Sequence, residues 1–248
     1  MTTIPDLSDR IALVTGASRG IGYQLAKQMA AAGAHVIAVA RTVGGLEELD
    51  DEITSAGGQA TLVPLDLTDM AGIDRLGGAI FERWGKLDIM VANAGILGVI
   101  SPIGHIEAKT FEKVMTINVT ATWRLIRSME PLLKKSDAGR AILLSSGAVH
   151  STPAFWSAYA ASKSAVETMA RCWAEETKNT PLRVNSVNPG AARTAMRAQA
   201  MPGEDPDTLP NPSEVAAKIL SLASPALTET GKLFEVREGR FKEYVLPI

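Results

Sequence analysis

VTGASRGIGYQLA, residues 14–26, joins a short apolar run to an alanine-rich segment and decides the fold class. Gly16, Gly20 and Gly22 leave room in this turn for backbone amides and a helix amino end to approach a pyrophosphate. The spacing is GxxxGxG rather than the GxGxxG of the usual dinucleotide fingerprint. Because a glycine-rich turn also occurs as a simple tight connection, its meaning depends on the rest of the chain.

The rest of the chain alternates β-branched runs with longer amphipathic or alanine-rich stretches, a rhythm that generates parallel sheets. The predicted strands cover 10–16, 34–40, 60–66, 86–95, 139–146, 182–190 and 232–237. The predicted helices cover 20–32, 44–56, 69–84, 107–135, 157–179 and 213–223. Most of the strand runs are apolar on both faces, so helices are expected on both sides of the sheet. The pattern predicts a single α/β domain over residues 1–248.

Composition and charge narrow the function classes. The chain has 248 residues, 46% of them hydrophobic and 21% charged, which suits one domain with one core. A net charge of −2 gives no electrostatic footprint for nucleic acid or an anionic membrane. The start, MTTIPDLSDR, does not resemble a signal peptide, and no apolar run has the length of a membrane span. With one cysteine, Cys172, and three separate histidines, neither a disulfide nor a metal site is expected, and we predict a soluble cytoplasmic protein acting on small molecules.

The segment after the second predicted strand indicates which dinucleotide is bound. NAD enzymes usually place an acidic residue there for the ribose 2′-hydroxyl, whereas NADP enzymes place an arginine near the 2′-phosphate. No acidic residue lies between His35 and Leu46, while Arg41 follows the strand and Arg19 lies in the glycine loop. Two guanidiniums can bind a phosphate through charge-assisted hydrogen bonds, although solvated surface arginines are the alternative. The pattern favours NADP(H) over NAD(H).

Two further segments border this predicted site. Asp66, at the end of the third strand, could accept from the adenine amino group or cap the next helix, and Asp69 is also in position to be that helix's N-cap. Between 190 and 212 the βα rhythm lapses, although TAMRAQAM predicts a short helix. The lapse follows a strand's carboxyl end, where open α/β sheets bind ligands, so we predict a substrate lid, with an irregular surface loop as the alternative.

Six motifs together resemble the short-chain dehydrogenase/reductase family. They are TGASRGIG, ANAG at 92–95, the asparagine of INV at 117–119, SS at 145–146, YAASK at 159–163 and NPG at 188–190. The resemblance covers about residues 10–237, and the stretch at 190–212 is similar to that of a YciK-type bacterial subgroup. It implies a Rossmann-like doubly wound fold with a seven-stranded parallel sheet, a nicotinamide cofactor, and a catalytic set of Asn118, Ser146, Tyr159 and Lys163.

The resemblance also implies which residues contact the cofactor. Asn93 matches a family asparagine that steadies the central strands. The predicted cofactor-binding residues are Gly16, Ser18, Arg19, Gly20, Ile21, Gly22, Arg41, Asp66, Leu67, Asn93, Ala94, Gly95, Tyr159, Lys163, Pro189, Gly190 and Thr194.

The spacing of Tyr159 and Lys163 carries the predicted chemistry, because residues four apart share one helix face. Lowering a phenol pKa from about 10 to about 7 requires about 4 kcal/mol. One cation about 4 Å away supplies roughly that energy at an effective dielectric constant near 20. We therefore expect Lys163 to lower the pKa of Tyr159, Ser146 to hold the substrate oxygen and Asn118 to position water. Each residue taken singly has a packing or capping alternative, but the four together favour catalysis.

Aromatic and apolar residues suggest the substrate and the assembly. His150, Phe155, Trp156 and Met196 are expected to border the substrate cavity, with packing as the alternative, which favours an apolar or aromatic carbonyl compound. The helices 107–135 and 157–179 resemble the pair that forms the family dimer. Their candidate interface residues, which could equally be core, are Phe111, Met115, Trp123, Met169 and Trp173. EVREGRFKEYVLPI replaces the family's usual D-G-G turn, so a homodimer is expected more firmly than a homotetramer.

The sequence thus predicts an NADP(H)-dependent oxidoreductase that interconverts a ketone or aldehyde and its alcohol. A 3-oxoacyl thioester reductase is an alternative, because Arg193 and Arg197 could contact the phosphopantetheine of a carrier. A cofactor-binding sensor without catalysis is the other alternative.

Overall fold

The computed structural model describes residues 4–244, so the first three residues of MTTIPDLSDR and the last four of EVREGRFKEYVLPI lie outside the described part. One eight-stranded sheet runs through the protein in the order β3-β2-β1-β4-β5-β6-β7-β8. Its strands are β1 Ile11–Thr15, β2 His35–Ala40, β3 Gln59–Pro64, β4 Ile89–Ala92, β5 Arg140–Leu144, β6 Arg183–Asn188, β7 Leu233–Glu235 and β8 Arg240–Lys242. The pairings from β3 through β7 are all parallel.

Helices connect the parallel strands, as a parallel sheet requires. The α-helices are α1 Gly20–Ala31, α2 Val43–Ser55, α3 Met70–Trp84, α4 Ala108–Met115, α5 Ala121–Leu133, α6 Ala148–Ser151, α7 Ser157–Thr177, α8 Ala195–Ala200 and α9 Pro212–Leu220. A π-helical turn spans Thr116–Thr120, and 3₁₀ turns span Ile103–His105, Pro206–Thr208 and Ser221–Ala223. The predicted short helix within TAMRAQAM is α8.

Two hydrophobic layers form the core, one on each face of the sheet. Alternate residues of β1 enter different layers: Val14 packs with α1, α2 and α9, whereas Leu13 packs with α3, α5 and α7. This alternation follows from the two-residue period of a strand covered on both faces. The predicted fold class, a single doubly wound α/β domain, is confirmed.

The strand count differs from the prediction by one antiparallel edge strand. β8 pairs with β7 after a tight turn in which Gly239 has φ +67°. Phe234 and Phe241 hold the pair together, with ring centroids 5.1 Å apart. The seven strands were predicted from the alternation of strand and helix patterns. A three-residue strand in a hairpin does not produce that pattern.

The topology places the site. The chain reverses its direction of sheet growth between β1 and β4, so the loops after β1, β4, β5 and β6 meet at the carboxyl edge beside this switch point, where open α/β sheets bind ligands.

Candidate active site

The glycine loop after β1 lies directly against the end of β4. A Cβ atom on Gly16, which has φ +68°, would lie 2.8 Å from Asn93 Nδ2, and one on Gly22 would collide with the carbonyl oxygen of Gly16. Arg19 occupies the N-cap of α1 and makes no side-chain capping hydrogen bond. The first amides of α1 therefore remain free of side-chain caps, which suits a phosphate group.

Asn93 ties this loop to the neighbouring strand. Its Nδ2 donates to the carbonyl oxygens of Thr15, at 2.8 Å, and Gly16, at 3.3 Å. The hydroxyl of Thr15 in turn accepts from the backbone amides of Asn93 and Ala94, both at 3.1 Å. These bonds fix the floor of the site between β1 and β4.

Arg41 and Asp66 lie at the ends of β2 and β3. Arg41 Nη1 is 3.9 Å from Asp66 Oδ2, and both side chains are substantially exposed. The backbone amide of Thr68 and then its hydroxyl donate to Asp66 Oδ1, which holds the pKa of that carboxyl below its usual value. Asp69 is the N-cap of α3, where its Oδ1 accepts from Gly72 N at 2.8 Å. Asp66 is therefore not the cap, which removes one of its two interpretations.

The other predicted cofactor residues lie at this edge, on its loops or at the start of α1, and the side chain of one of them points away from it. Gly20 approaches the segment predicted to be a lid, because a Cβ there would lie 3.5 Å from Thr194 Cγ2. Leu67 instead turns its side chain into the core beside α3. The residues that share the edge are Ser18, Ile21, Ala94, Gly95, Pro189, Gly190 and Thr194.

Tyr159 and Lys163 lie one turn apart near the start of α7, both buried. Lys163 Nζ is 5.9 Å from the centre of the Tyr159 ring and donates to the carbonyl oxygen of Leu144, at the end of β5, at 2.7 Å. Gly95 lies against the same amine, since a Cβ there would be 3.4 Å from Nζ. Both side chains therefore face the edge of the sheet that carries the glycine loop.

The pKa values of this pair differ from the expectation. Burial raises the pKa of Tyr159, and a hydrogen bond from the Ser146 hydroxyl to the phenolate oxygen only partly opposes that shift. Burial also lowers the pKa of Lys163 from 10.5 to about 8. The pKa of Tyr159 is therefore raised in this structure and not lowered as expected, because burial of the phenolate outweighs the groups that stabilise it.

Asn118 lies in the π-helical turn, so the predicted helix 107–135 is two helices, α4 and α5, with a wide turn between them. Its Oδ1 accepts from Ile96 N at 2.8 Å, and its Nδ2 donates to Ile96 O and to Ser162 Oγ, both at 2.9 Å. The Asn118 side chain thus links the loop after β4 to α7. π-turns commonly interrupt α-helices at functional sites because they redirect one side chain.

An apolar cluster packs around Tyr159. Trp156 meets the tyrosine ring edge-on, with centroids 6.1 Å apart. The cluster consists of buried Leu97, Ala148 and Tyr159, with Ile100, Trp156, Ala160, Met196 and Ala200 packed against them. Two of the four predicted cavity residues, Trp156 and Met196, are in this cluster, whereas Phe155 is exposed beside it.

Comparisons with known proteins agree with this architecture. Residues 10–205 match the family model described as short chain dehydrogenase. The chain is 40% identical over 238 residues to the oxidoreductase YciK of Escherichia coli K12, and the match covers 94% of each chain.

The chain belongs to the short-chain dehydrogenase family.

Solved structures of short-chain dehydrogenases resemble it closely. One from Shigella flexneri 2a, complexed with NADP, is 39% identical, has a TM-score of 0.90, and the match covers 95% of this chain and 100% of that one. Another from Escherichia coli CFT073, complexed with NADPH, is 38% identical with a TM-score of 0.88, and the match covers 95% of this chain and 99% of that one. The predicted resemblance to the family and its YciK-type members is confirmed, and this short-chain dehydrogenase is an oxidoreductase.

The sequence analysis missed a buried carboxylate in this short-chain dehydrogenase. Glu167 lies one turn beyond Lys163 on α7, accepts a short hydrogen bond from Ser145 Oγ, and lies 3.2 Å from His150 Nε2. His150 is therefore held by Glu167, and its place beside the substrate cavity stays a prediction. The spacing of Tyr159, Lys163 and Glu167, every fourth residue in a small-residue helix, was the available signal.

A second missed residue is Gly45, in the first turn of α2. A Cβ there would lie 2.6 Å from the carbonyl oxygen of Ser18, so α2 begins in contact with the glycine loop. Only glycine permits this approach, which brings the segment after Arg41 close to Arg19.

The segment predicted to be a lid is folded around α8 in this short-chain dehydrogenase. Thr194 caps α8 by accepting from Arg197 N at 3.2 Å. Arg197 makes a two-pronged ion pair with Glu204, at 2.5 and 2.7 Å, and Arg193 Nη1 lies 3.2 Å from Asp207 Oδ1.

Residues 4–244 contain no cluster of three His, Cys, Asp or Glu side chains that could hold a metal ion. Over the same range, no helix has both the length and the apolar character needed to cross a membrane.

Proposed function

We propose that this protein is an NADP(H)-dependent oxidoreductase that interconverts a ketone or aldehyde and its alcohol. The observation that carries the proposal is the buried pair of Tyr159 and Lys163, facing the carboxyl edge of the sheet beside the uncapped start of α1. The narrow contact between Gly16, Gly22 and the end of β4 fits a dinucleotide, because a side chain on either glycine would collide with its neighbours. The nicotinamide, when bound, supplies or accepts the hydride.

In the direction of reduction, Tyr159 donates its proton to the carbonyl oxygen. Burial raises the pKa of Tyr159, so the phenol is protonated at neutral pH and ready to donate. Ser146, hydrogen-bonded to that phenol, is placed to hold the same substrate oxygen. In the direction of oxidation Tyr159 must act as the base, and the positive charge of Lys163 favours the phenolate.

The hydrogen bonds of Asn118 support a route for protons to Tyr159 in this proposal. Asn118 fixes the backbone at Ile96, and Gly95 lies between that backbone and Lys163. We propose that water held in this region replaces the proton that Tyr159 donates, and that Lys163 passes the proton from water to Tyr159.

The test of the whole proposal is a panel of aldehydes and ketones incubated with NADPH, with NADPH consumption followed by absorbance. The expected result is turnover of at least one carbonyl compound that depends on Tyr159.

The preference for NADP(H) is proposed from Arg41 and Arg19. The segment His35 to Leu46 has no carboxylate to receive a ribose 2′-hydroxyl, and both arginines are exposed at the edge where α2 meets the glycine loop. The short-chain dehydrogenases of Shigella flexneri and Escherichia coli CFT073 that resemble this chain hold NADP and NADPH.

Replacing Arg41 by alanine is expected to raise the KM for NADPH about 10- to 100-fold, because one charge-assisted hydrogen bond is worth about 1.5–3 kcal/mol. The KM for NADH should change less than about twofold, since NADH has no 2′-phosphate. Steady-state kinetics with both cofactors measure the two values. Arg83→Ala, on the exposed end of α3, is the control, and equal losses for NADPH and NADH in Arg41→Ala would contradict a 2′-phosphate site.

The alternative of a carrier-bound thioester loses its main support. Arg193 and Arg197 are paired with Asp207 and Glu204 within the lid, so they do not form an uncompensated positive patch for phosphopantetheine. The alternative of a sensor without catalysis is contradicted by any turnover in the NADPH assay.

We also propose that two copies associate through α5 and α7. Trp123 is exposed on α5, with the guanidiniums of Arg124 and Arg127 each 5.9 Å from its ring, while Trp173 is buried and belongs to the core. A groove beside Trp123 continues to Met169 on α7. Phe111 is also exposed, on α4.

Sedimentation equilibrium is expected to give a dimer that Trp123→Glu weakens, and a monomeric wild type would contradict the proposal.

A further inference from the structure

The side chains packed around Tyr159 in the proposed substrate site form an apolar surface. Leu97 and Ile100 come from the loop after β4, Trp156 precedes α7, and Met196 and Ala200 come from the lid helix α8. A substrate that reaches Tyr159 therefore passes between hydrocarbon surfaces.

The apolar surface continues outward, onto the rim of the same site. Val99, Ile103, Phe155 and Met201 are exposed, and they are four of the nine large hydrophobic side chains exposed among residues 4–244. Each belongs to a loop that also contributes to the apolar cluster: Val99 and Ile103 flank Ile100, Phe155 adjoins Trp156, and Met201 follows Ala200. We call these four residues the collar.

Hydrogen bonds hold the three loops of the collar next to one another. Ser101 N donates to the carbonyl oxygen of Phe155 at 3.0 Å, and Gln199 Nε2 reaches Gly98 O at 3.4 Å. The collar residues therefore lie on neighbouring loops and are not scattered over the surface. A contiguous exposed apolar area beside a site indicates a ligand that covers it.

Phe155 has a backbone conformation that a bulky residue rarely adopts. Its φ is +74°, in the left-handed region, and its side chain is 55% exposed. Core packing therefore does not explain why an aromatic residue occupies this position. Backbone strain of this kind concentrates at binding and catalytic sites.

The charges of the lid do not offer a partner for an anionic substrate. Arg197 is neutralised by Glu204 in a two-pronged pair, and Arg193 lies beside Asp207. Both arginines of this segment are therefore already paired with carboxylates.

Resting on the proposed carbonyl reductase function, we propose that the substrate is a long-chain aliphatic carbonyl compound. Its carbonyl group lies at Tyr159 and Ser146, and its hydrocarbon chain leaves the cavity between α8 and the loop after β4 and ends on the collar. Reduction transfers a hydride from NADPH to the carbonyl carbon and a proton from Tyr159 to the oxygen, giving the alcohol and NADP⁺.

A chain-length series tests this proposal. kcat/KM for the reduction of butanal, hexanal, octanal and decanal by NADPH is expected to rise about two- to fourfold per CH₂ group, because a fully buried CH₂ is worth about 0.8 kcal/mol. The rise should level off once the chain reaches past the collar. A flat or falling series would overturn the proposal.

Two collar variants and one control sharpen the test. Phe155→Asn removes the ring and keeps a residue that accepts the left-handed conformation, while Ile103→Ser removes the other most exposed collar side chain. Each is expected to reduce the ratio of decanal to butanal kcat/KM at least about tenfold, since several buried CH₂ groups lose their contacts. Phe81→Ser, an exposed phenylalanine on α3 away from the site, should leave the ratio unchanged. Equal ratios in wild type and both collar variants would count against the collar.

A binding measurement separates failure of this proposal from failure of the proposed function. Butanol, hexanol, octanol and decanol are added to the protein with NADP⁺, and the rise in Tm is recorded. A rise that grows with chain length and is reduced in Phe155→Asn supports the aliphatic site even if no aldehyde is turned over, in which case only the proposed reaction is wrong. If aldehydes are turned over in a Tyr159-dependent manner but neither series depends on chain length, the reaction stands and the long-chain substrate is wrong.

Discussion

Tyr159→Phe is expected to lower kcat for carbonyl reduction about a thousandfold, within the range that general acid catalysis contributes. The substitution removes only the hydroxyl, and the ring remains packed against Trp156 in the apolar cluster. The Kd for NADPH should therefore change less than about twofold, a difference of about 0.4 kcal/mol. Stopped-flow reduction of decanal and fluorescence titration with NADPH measure the two quantities.

Tyr23→Phe is the matched control for that experiment. Tyr23 is also a largely buried tyrosine, but its hydroxyl lies at Glu52, and burial is the main reason that the pKa of Tyr23 is raised. Its loss should not affect turnover. If Tyr159→Phe retained more than about a tenth of wild-type kcat, the phenol would not be the proton donor.

Lys163→Met is expected to reduce kcat by about the same factor, because it removes the cation next to the phenol and the amine that passes a proton back to it. The same variant should change how stability depends on pH. In the wild type, the pKa of Lys163 is about 8 when folded and 10.5 as an ordinary lysine, because burial disfavours the ammonium. Between these pH values the unfolded chain binds more protons than the folded one, so the free energy of unfolding rises with pH.

The size of this rise follows from the shift in pKa. A shift from 10.5 to about 8 corresponds to roughly 3 kcal/mol of stability, absent below pH 8 and gained by pH 10.5. Urea unfolding of wild type and Lys163→Met across this range should therefore give curves that diverge as pH rises, with the variant lacking this increment. Lys178→Met, at the exposed end of the same helix, is the control. Parallel curves for wild type and Lys163→Met would contradict a desolvated amine.

The fold was largely predictable from sequence, since each βα unit repeats one pattern and the glycine loop identifies the first. The elements that were not predicted are those whose sequences show no hydrophobic periodicity that marks them. β8 is three residues long and depends on its contact with β7 and on the Phe234–Phe241 pair. The split of 107–135 depends on the tertiary contacts of Asn118 with Ile96 and Ser162, which no local propensity reports.

The candidate site was predictable as a set of positions but not as a set of energies. The spacing of Tyr159 and Lys163 predicted their common helix face, yet the direction of the tyrosine pKa shift depends on burial, which outweighs the hydrogen bond from Ser146. Glu167 escaped because its role depends on Ser145 and His150, which are distant in sequence from it and are brought together by α6 and α7.

The π-turn at Thr116–Thr120 has a consequence for engineering. Deleting one residue there would let α4 and α5 join into an unbroken rod with regular hydrogen bonding, the kind of idealisation that raises heat resistance. The same deletion would rotate Asn118 by about 100° around the helix axis and release the loop that borders Lys163. The irregular backbone is thus a compromise that a thermostabilised variant must leave untouched.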